Sequence, residues 1–590
     1  MRRLAAYLLP CLLAWWAGAS PDAEAGVRFK AGTYNLFTSD SRLKNVQGDG
    51  NVSPQRLWCH SYTAVGDMLV RLDCDIIGLQ EICDSIWNGP GNIRDDVASK
   101  GLGYQWILYP NTRRGHISYD DAIGYKPEVF ECIESGIFWM GGVFDKPEKA
   151  EDAPEGSARP TVWAHMRHRA SGREFYFLST HLHVSQKRPD GTWSHESNQY
   201  NARQLCKWVE QNLPYDMPGI LVGDMNLDDK AKHWSILAQT PFMDAKLYFE
   251  HAGRLSADAK EWGTQNKKDE SGFTRWYPDH IMVNGFRPLD YVIDRGKFPT
   301  TDGSLHFPSD HLPLTCTVEF LDYAPSGRPT AQKGKKAIRT MSFNVRYFNN
   351  NADYENGWDH RKRAIPAMLE DVKPDVVGTQ EITDHQIAYL DDRCPAYRHV
   401  GIFREPDGKK ECGSIYYNSE TVELLDWGGF HLSETPQEPS LGWDAAIKRT
   451  AVWARLRMKG GHKEFIFVTT HLDHKGQEAR EKGLDLILDT LGVINSGRLP
   501  VVIVGDFNMT AGNKGLARIS REMKDARETA HSSDSKYAFN GFGKSWTGNI
   551  DYIWHKGFKR CTNFKVIHRK YLHINYISDH YPIIADVETF

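Results

Sequence analysis

Two parts of the chain carry the same ordered set of carboxylates, amides and histidines. The first set comprises Asn35 in TYNLF, Glu81 in GLQEI, His181 in STHLH, Asp224 and Asn226 in VGDMN, Asp290 in LDYVI, and Asp310 and His311 in PSDHLPL. The second set comprises Asn344 in SFNV, Glu381 in GTQEI, His471 in TTHLD, Asp506 and Asn508 in VGDFN, Asp551 in IDYIW, and Asp579 and His580 in ISDHYPI. Because one order of motifs occurs twice, the repeat predicts two sites of the same kind.

The residue types indicate the chemistry of these sites. Carboxylate and amide oxygens without a cysteine among them suit Mg²⁺, Mn²⁺ or Ca²⁺ better than zinc. Such a cation polarises a phosphoryl oxygen and neutralises charge on a leaving group. His181 and His311 can donate hydrogen bonds to phosphate oxygens or transfer protons near neutral pH. Asp290 is the candidate acid that would orient the His311 ring.

Each motif taken alone also has a structural interpretation. An Asp-x-Asn sequence after a strand often closes a turn through its own backbone hydrogen bonds. Glu81 could be a buried acid with satisfied hydrogen bonds, and His181 could be a core histidine. The presence of all motifs in both repeats favours the functional interpretation.

The elements around the motifs predict how these side chains are positioned. Short apolar runs rich in β-branched and aromatic residues read as buried strands, at 75–79, 175–179, 220–222, 465–469 and 501–504. The polar residues follow the ends of these runs, where side chains from several strands can converge. Helical periods at 202–211 and 478–491 separate the strands. We therefore expect an α/β domain with buried sheets and outer helices.

Length and composition predict two domains. The 590 residues exceed what one hydrophobic core usually supports. We assign residues 27–320 and 338–590 to two domains, and residues 321–337, which contain prolines, glycines and lysines, to an exposed linker. We expect each half to fold alone and the chain to be a monomer.

The N-terminal sequence has the form of an export signal. Arg2 and Arg3 precede an apolar stretch at 4–17, and Ala23-Glu24-Ala25 has the small-x-small pattern of a cleavage site. We predict a signal peptide over residues 1–25 and a secreted or periplasmic protein. A signal anchor is the alternative. The apolar stretch is too short to span a bilayer core.

Net charge and cysteine content argue against several classes of protein. The net charge of −4 and pI near 6.7 do not provide the strongly basic field of sequence-independent DNA binders. The basic side chains of the predicted turns at 166–173 and 455–463 have two interpretations. They are either solvated charges or groups that contact a phosphate backbone. The ten cysteines form no CxxC pair, which argues against a disulfide framework and a thiolate zinc site.

The ordered motifs of both repeats resemble the endonuclease/exonuclease/phosphatase superfamily. This resemblance implies a four-layer α/β sandwich of two mixed sheets flanked by helices, present twice, and phosphoester cleavage with a divalent cation. It implies that Glu81 and Glu381 are the main metal ligands, helped by Asn35, Asn344, Asp310 and Asp579. It further implies that Asp224 and Asp506 activate or orient water and that Asn226 and Asn508 hold phosphate. By the same resemblance, His311 and His580, paired with Asp290 and Asp551, stabilise the transition state. His181 and His471 are implied to bind a phosphate oxygen. Whether the Asp or the last His is the base stays open.

Three functions follow from this resemblance. The leading one is a metal-dependent phosphoester hydrolase acting on nucleic acid, nucleotides or a sugar phosphate. The alternatives are a sphingomyelinase-type lipid phosphodiesterase and a binding protein with one or both sites inactive. The second repeat is similar to bacterial exported members near the deadenylase-like branch. There, Trp443, Asp444 and Arg449 are expected to contact a phosphorylated ligand, whereas the first repeat has the acidic stretch 145–155. We therefore expect the two pockets to differ.

Overall fold

The computed structural model describes most of the chain. It covers residues 26–37, 58–89, 91–113, 116–214, 216–231, 233–266, 271–301, 303–322, 330, 332–334, 336–408, 410–461, 463–544 and 548–588. The predicted signal peptide at 1–25 lies outside the described residues. Among the described residues, no helix is long and apolar enough to cross a bilayer.

The first domain alternates strands and helices. Its strands are β1 (Arg28–Asn35), β2 (Ile76–Cys83), β3 (Gln105–Leu108), β4 (Asn111–Arg113), β5 (His116–Tyr125), β6 (Phe130–Trp139), β7 (Pro160–His168), β8 (Glu174–His181), β9 (Gln186–Lys187), β10 (Trp193–Ser194), β11 (Gly219–Asp224), β12 (Met243–Asp244), β13 (Asp279–Asn284), β14 (Phe286–Pro288), β15 (Val292–Ile293), β16 (Phe298–Pro299), β17 (Leu305–His306) and β18 (Leu314–Phe320). Its helices are α1 (Trp58–Leu72), α2 (Asp84–Asn88), α3 (Ile93–Ser99), α4 (Glu196–Asn212), α5 (Trp234–Leu237), α6 (Ala245–His251) and α7 (Ala257–Glu261).

The second domain repeats this order. Its strands are β19 (Ala337–Asn344), β20 (Val376–Ile382), β21 (Tyr397–Phe403), β22 (Cys412–Asn418), β23 (Val422–His431), β24 (Thr450–Met458), β25 (Glu464–His471), β26 (Val501–Asp506), β27 (Lys524–Asp525), β28 (Ser532–Ser533), β29 (Asp551–Lys556), β30 (Arg560–Val566) and β31 (Ile583–Glu588). Its helices are α8 (Asn350–Asp353), α9 (Trp358–Arg361), α10 (Ala364–Val372), α11 (Asp384–Arg393), α12 (Gln477–Ile494), α13 (Ala517–Glu522) and α14 (Ala526–Thr529), with 3₁₀ turns at Tyr354–Asn356 and Lys514–Leu516.

Each domain contains two mixed sheets. In the first domain, one sheet has the order β14-β18-β1-β2-β5-β3 and the other has β12-β13-β11-β8-β7-β6. In the second domain, the orders are β21-β22-β20-β19-β31-β30-β28 and β23-β24-β25-β26-β29-β27. Each domain has a parallel pair at the centre of each sheet, β1 with β2 and β8 with β11 in the first, and the neighbours are antiparallel. The predicted mixed sheets are confirmed.

The two sheets of each domain face each other and leave their outer faces to helices. Val222 and Phe177 of one sheet share a core with Ile76 of the other. An ideal Cβ on Gly78 would lie 2.4 Å from Val222 Cγ2, so the sheets approach closely only because residue 78 is glycine. The same contact recurs between Gly378 and Val504, at 2.3 Å.

The outer helices are amphipathic, as their sequence period predicts. Helix α4 buries Ala202, Leu205, Trp208 and Val209, spaced three or four residues apart, against Leu178 and Leu221 of its sheet. In the second domain, α12 packs Leu484, Ile487, Leu488 and Leu491 in the same way. On the other sheet of the first domain, α1 packs Val65, Met68 and Leu69 against Ile77 and Leu79. In the second domain, α10 packs Ile365 and Met368 against Val377 in the same way. Helices therefore cover both sheets, and each domain is a four-layer sandwich.

The segment between the domains is tied to the second domain at its end. The Lys333 ammonium pairs with Asp375, and the Thr330 hydroxyl donates to Asp371 at 3.2 Å. The domains also contact each other directly, through residues 354–363 of the second domain.

Candidate active sites

The strand register brings the motif residues together at the same edge of each sandwich. In the first domain, His181 and Asp224 end the neighbouring parallel strands β8 and β11 and pair in register. His471 and Asp506 end β25 and β26 in the same way. Since parallel strands leave their sheet at a common edge, the two side chains of each pair share one cleft.

The glutamates stand in an unusual backbone conformation. Glu81 and Glu381 both have a φ of 61°, in the left-handed region, at a bulge where β2 and β20 shift register against the neighbouring strand. Non-glycine residues are uncommon there, and such strain tends to mark functional positions. The bulge turns both carboxylates towards the cleft.

An asparagine amide bridges two acids in each site. Asn35 Nδ2 donates to Glu81 Oε1 at 3.2 Å and to Asp224 Oδ2 at 2.9 Å. Asn344 Nδ2 donates to Glu381 Oε1 at 3.0 Å and to Asp506 Oδ2 at 3.3 Å. The two sheets thus contribute acids to one polar group, because Glu81 and Asp224 come from different sheets.

A buried His–Asp pair completes each group. His311 Nδ1 lies 2.8 Å from Asp279 Oδ2, and its Nε2 lies 3.8 Å from Asp224 Oδ2. His580 Nδ1 lies 2.9 Å from Asp551 Oδ2, and its Nε2 lies 3.7 Å from Asp506 Oδ2. In both domains the ring therefore stands between two carboxylates.

The prediction that Asp290 pairs with His311 is wrong. Asp290 lies in the connection between β14 and β15, where its carboxylate accepts the backbone N–H of Thr317 at 2.6 Å. The partner of His311 is Asp279, because β13 pairs with β11 so that Asp279 faces Asp224, as Asp551 faces Asp506 in the second domain. The Asp-Tyr dipeptides of LDYVI and IDYIW are a coincidental likeness.

A sequence signal for Asp279 was available. The distance along the chain from the acid to the histidine is 32 residues for Asp279 and His311 and 29 for Asp551 and His580. Asp279 also begins an apolar run, DHIMVN, which resembles DYIWHK in length. Spacing would have identified the residue that the dipeptide motif missed.

The remaining motif residues form a second hydrogen-bonded pair. Asn226 Nδ2 lies 3.1 Å from His181 Nε2 and donates to Leu182 O at 3.0 Å, while its N–H donates to Asp224 Oδ1 at 2.8 Å. Asn508 and His471 repeat these contacts at 3.2 and 3.0 Å. Since Nδ2 donates to the carbonyl, it also donates to the ring, which makes Nε2 the acceptor.

Burial and neighbouring charges shift the pKa values of the central groups. Burial raises the pKa of Asp224 to about 7, against the opposing effect of His311. Burial, reinforced by Asp551, likewise raises the pKa of Asp506 to about 7. Burial alone would lower the pKa of His580, but Asp551 and Asp506 raise it to about 10. Burial, Arg449 and His580 hold the pKa of His471 well below its usual range. A charged and a neutral histidine therefore flank Asp506.

The last motif is anchored by a serine that the sequence motifs did not single out. Ser309 Oγ donates to Asn35 O at 2.7 Å, and Ser578 Oγ donates to Asn344 O at 2.6 Å. These hydroxyls join the loop carrying Asp310 or Asp579 to the end of the first strand. The loop that carries Asp310 or Asp579 is thereby placed next to the asparagine of its own site.

The oxygen-rich groups fit a divalent cation. In the second domain, the Arg346 guanidinium Nη1 lies 4.0 Å from Glu381 and 3.7 Å from Asp579, so these two acids face one positively charged position. Asp224, Asp279 and His311, and their counterparts Asp506, Asp551 and His580, each offer ligand atoms within 4.8 Å of one another. Oxygen donors of this kind match Mg²⁺ or Mn²⁺.

The second domain opens a cleft of about 1000 Å³ over its site. Its walls carry the cations Arg346, Arg404, Lys410 and Arg449. Arg404 pairs with Glu411 at 2.9 Å, and Arg449 lies 3.8 Å from Asp473. An anionic ligand entering this cleft would meet arginine side chains that are already oriented.

Of the loop residues expected to contact a ligand, only Arg449 lines the cleft. Asp444 instead caps α12: its carboxylate accepts the N–H of Ala479 at 2.7 Å and of Glu478 at 3.3 Å. The Trp443 ring lies 6.0 Å from the Lys482 ammonium on the same helix. The prediction for these two residues is wrong because the loop caps the N-terminus of α12.

The basic turns have local partners. Arg167 pairs with Glu131 at 2.9 Å and with Glu174 at 2.8 Å, and Arg457 pairs with Glu423 and Glu464 at 3.3 and 2.7 Å. These pairs favour solvated turn charges over contacts with a phosphate backbone.

Comparison with known proteins agrees with this geometry. The sequence matches the Endonuclease/Exonuclease/phosphatase family over residues 33–311 and 341–580. It is 29% identical to Nocturnin of Drosophila melanogaster over 197 residues, which are 29% of this chain and 29% of that protein. The chain thus spans less than a third of that relative's length.

Two solved structures each match less than half of this chain. A crystal structure of the endonuclease/exonuclease/phosphatase from Bacteroides vulgatus is 33% identical, with a TM-score of 0.41, and covers 43% of this chain and 100% of its own. A mannosyl-6-phosphatase from Bacteroides thetaiotaomicron is 27% identical, with a TM-score of 0.40, and covers 42% of this chain and 99% of its own. Because the family match covers both repeats, the chain belongs to the endonuclease/exonuclease/phosphatase family of phosphoesterases.

Proposed function

We propose that the chain is an exported hydrolase that cleaves phosphate esters with a divalent cation, using one site in each domain. The observation that carries this proposal is the repeated buried group of Asp224, Asp279 and His311 and of Asp506, Asp551 and His580. Two complete groups with distances that agree within a few tenths of an ångström argue against a binding protein that has lost catalysis.

Each side chain has a role that its surroundings support. Glu81 and Glu381, with Asn35, Asn344, Asp310 and Asp579, would hold the cation, which would polarise the phosphoryl oxygen and stabilise the leaving group when bound. Asp224 and Asp506 would accept a proton from the attacking water. The amide of Asn35 or Asn344 fixes their Oδ2 atoms, and the ring of His311 or His580 lies within 3.8 Å of them.

The histidines would act on the phosphate rather than on the water. His311 and His580, charged through their aspartate partners, would donate from Nε2 to an oxygen that gains negative charge in the transition state. Asn226 and Asn508 would hold His181 and His471 in one orientation beside the phosphate. This arrangement assigns the base to the aspartate and the electrostatic role to the last histidine.

The experiment is a substrate panel assayed with purified full-length chain. DNA, RNA, nucleotides, sphingomyelin and sugar phosphates are each incubated with Mg²⁺ or Mn²⁺ and with EDTA. We expect metal-dependent release of phosphate or of a phosphodiester product from at least one substrate. The double variant Asp224→Asn, Asp506→Asn controls for contaminating hydrolases and should be inactive. Activity that survives in the double variant would refute the assignment.

Export is tested separately. The mature protein recovered from outside the cytoplasm should begin after Ala25, which N-terminal sequencing measures. A chain that retains residues 1–25 would support the signal anchor instead.

A further inference from the structure

The second domain contacts the first through Tyr354–Arg363, which we name the interface segment. The Tyr354 hydroxyl donates to Asp244 O at 2.9 Å, and its ring stacks on His251 with centroids 3.9 Å apart. His360 Nδ1 lies 3.3 Å from Pro241 O, and Lys362 Nζ donates to Gln239 O at 2.9 Å. The segment therefore lies directly against the first domain.

Three cations of the second domain converge on one acid of the first. The Glu210 carboxylate, near the end of α4, lies 3.6 Å from Lys362, 3.5 Å from Arg363 and 3.5 Å from Arg393. The Arg363 side chain is 3% exposed, and that of Glu210 is 20% exposed. Because so little water reaches this cluster, loss of the Glu210 charge would leave the cations to repel each other.

The opposite face of the interface segment holds the second site. Arg361 is fully buried, and its guanidinium donates to Val345 O at 2.7 Å, Ile577 O at 2.8 Å and Arg346 O at 2.8 Å. These carbonyls follow Asn344 directly and precede Ser578 and Asp579. One planar group with five fixed donors thus joins the two chain segments that carry the proposed ligands.

From these contacts we propose that the first domain positions the active site of the second. Glu210 is the positioning residue: it holds Lys362 and Arg363, which directly follow Arg361 in the chain. It thereby fixes Arg361 against the carbonyls beside Asn344 and Asp579. The effect of this positioning on catalysis rests on the proposed hydrolase function. The second domain is consequently active only while it is docked on the first.

The test uses Glu210→Gln in the full-length chain, with Glu196→Gln as the matched control. Glu196 lies on the same helix, but its carboxylate pairs with Arg188 within the first domain, at 2.7 Å. Hydrogen exchange is measured on peptides covering 345–363 and 574–581. We expect exchange at least about tenfold faster in Glu210→Gln and unchanged exchange in Glu196→Gln.

Activity then separates positioning from a general loss of structure. In an Asp224→Asn background, which leaves only the second site, Glu210→Gln should lower kcat about tenfold with a smaller change in KM. In an Asp506→Asn background, which leaves only the first site, kcat should stay within twofold. Glu210→Asp, which keeps the charge, should restore part of the lost kcat.

Each outcome decides the inference. Unchanged exchange in Glu210→Gln, equal exchange in Glu196→Gln, or a parallel loss at the first site would overturn it. If Glu210→Gln does not fold, Arg393→Gln weakens the same cluster from the half-buried surface of α11 and must show the same faster exchange. If the wild-type chain hydrolyses nothing on the panel, the proposed function fails, whereas the exchange result still decides the positioning role.

Discussion

The two domains place Asp224, Asp279 and His311, and their counterparts Asp506, Asp551 and His580, at nearly the same distances from one another. The residues that surround the two groups differ. Arg346 follows Asn344 where Phe37 follows Asn35, and each backbone N–H donates to the preceding asparagine side chain. Strand register puts Tyr119 at the position of Glu411, and Val184 follows His181 as His474 follows His471. The buried acids and histidines lie at strand ends that the fold repeats, whereas the residues that differ lie where loops and edges diverge.

The largest expected effect applies equally to both sites. EDTA should abolish hydrolysis by the Asp224→Asn variant and by the Asp506→Asn variant, and Mg²⁺ or Mn²⁺ should restore it, because both sites offer oxygen ligands. Initial rates at a range of free metal concentrations measure this. A variant that keeps its rate in EDTA would show that the two sites differ in mechanism and not only in substrate.

The next effect separates the two domains. Asp506→Asn should lower the rate of the full chain on a small anionic phosphoester about a hundredfold, because the second cleft carries the additional cations. Asp224→Asn should cost less on the same substrate. Steady-state kinetics of the two single variants measure the difference. The reverse order would mean that the first domain is the main site for that substrate.

A third change tests the pairing of His311 within the first domain. In an Asp506→Asn background, Asp279→Asn should lower kcat about tenfold to a hundredfold, since the ring loses the acid that orients and charges it. Asp290→Asn should leave kcat within twofold, because that carboxylate accepts the Thr317 backbone N–H away from His311. Equal losses from both changes would contradict the assignment of Asp279.

The smallest effect concerns the cleft walls. In an Asp224→Asn background, Arg404→Gln should raise KM for an anionic substrate about tenfold, which corresponds to the loss of one charge-assisted hydrogen bond of about 1.5 kcal/mol. Arg398→Gln serves as the control, because Arg398 is exposed near the start of β21, the strand that ends just before Arg404. An unchanged KM in Arg404→Gln would show that the cleft cations do not cause the difference between the two sites.

The sequence predicted that the motif residues converge largely because repeated motifs end repeated strands. The runs before His181, Asp224, His471 and Asp506 are short, apolar and buried, so their register brings the polar ends together. The motif comparison missed Asp279 because it matched Asp290 to Asp551 by the tyrosine that follows each acid. The distance along the chain from the acid to the last histidine would have matched Asp279 to Asp551. The serines were missed because a single hydroxyl carries no periodic or charge signal.

The roles of the loops and the docking of the domains required the structure. Asp444 could as well have faced a ligand as capped a helix, and only the orientation of α12 decides that it accepts the N–H of Ala479. The sequence of the linker predicted two halves that fold alone, yet Glu210 and its three cations lie more than a hundred residues apart along the chain. No local pattern records such a contact.

By itself, the sequence determined the tandem repeat, the buried strands, the repeated carboxylates, amides and histidines, and thereby the family. These features depend on short-range periodicity and on residue type, which the order of residues along the chain shows directly. Only the tertiary structure decided that Asp279 and not Asp290 faces His311, that Arg346, Arg404 and Arg449 share the second cleft, and that Arg361 stands between an active site and the neighbouring domain. Such relations depend on which distant segments pack together, because burial and Coulomb interactions act through space and not along the chain.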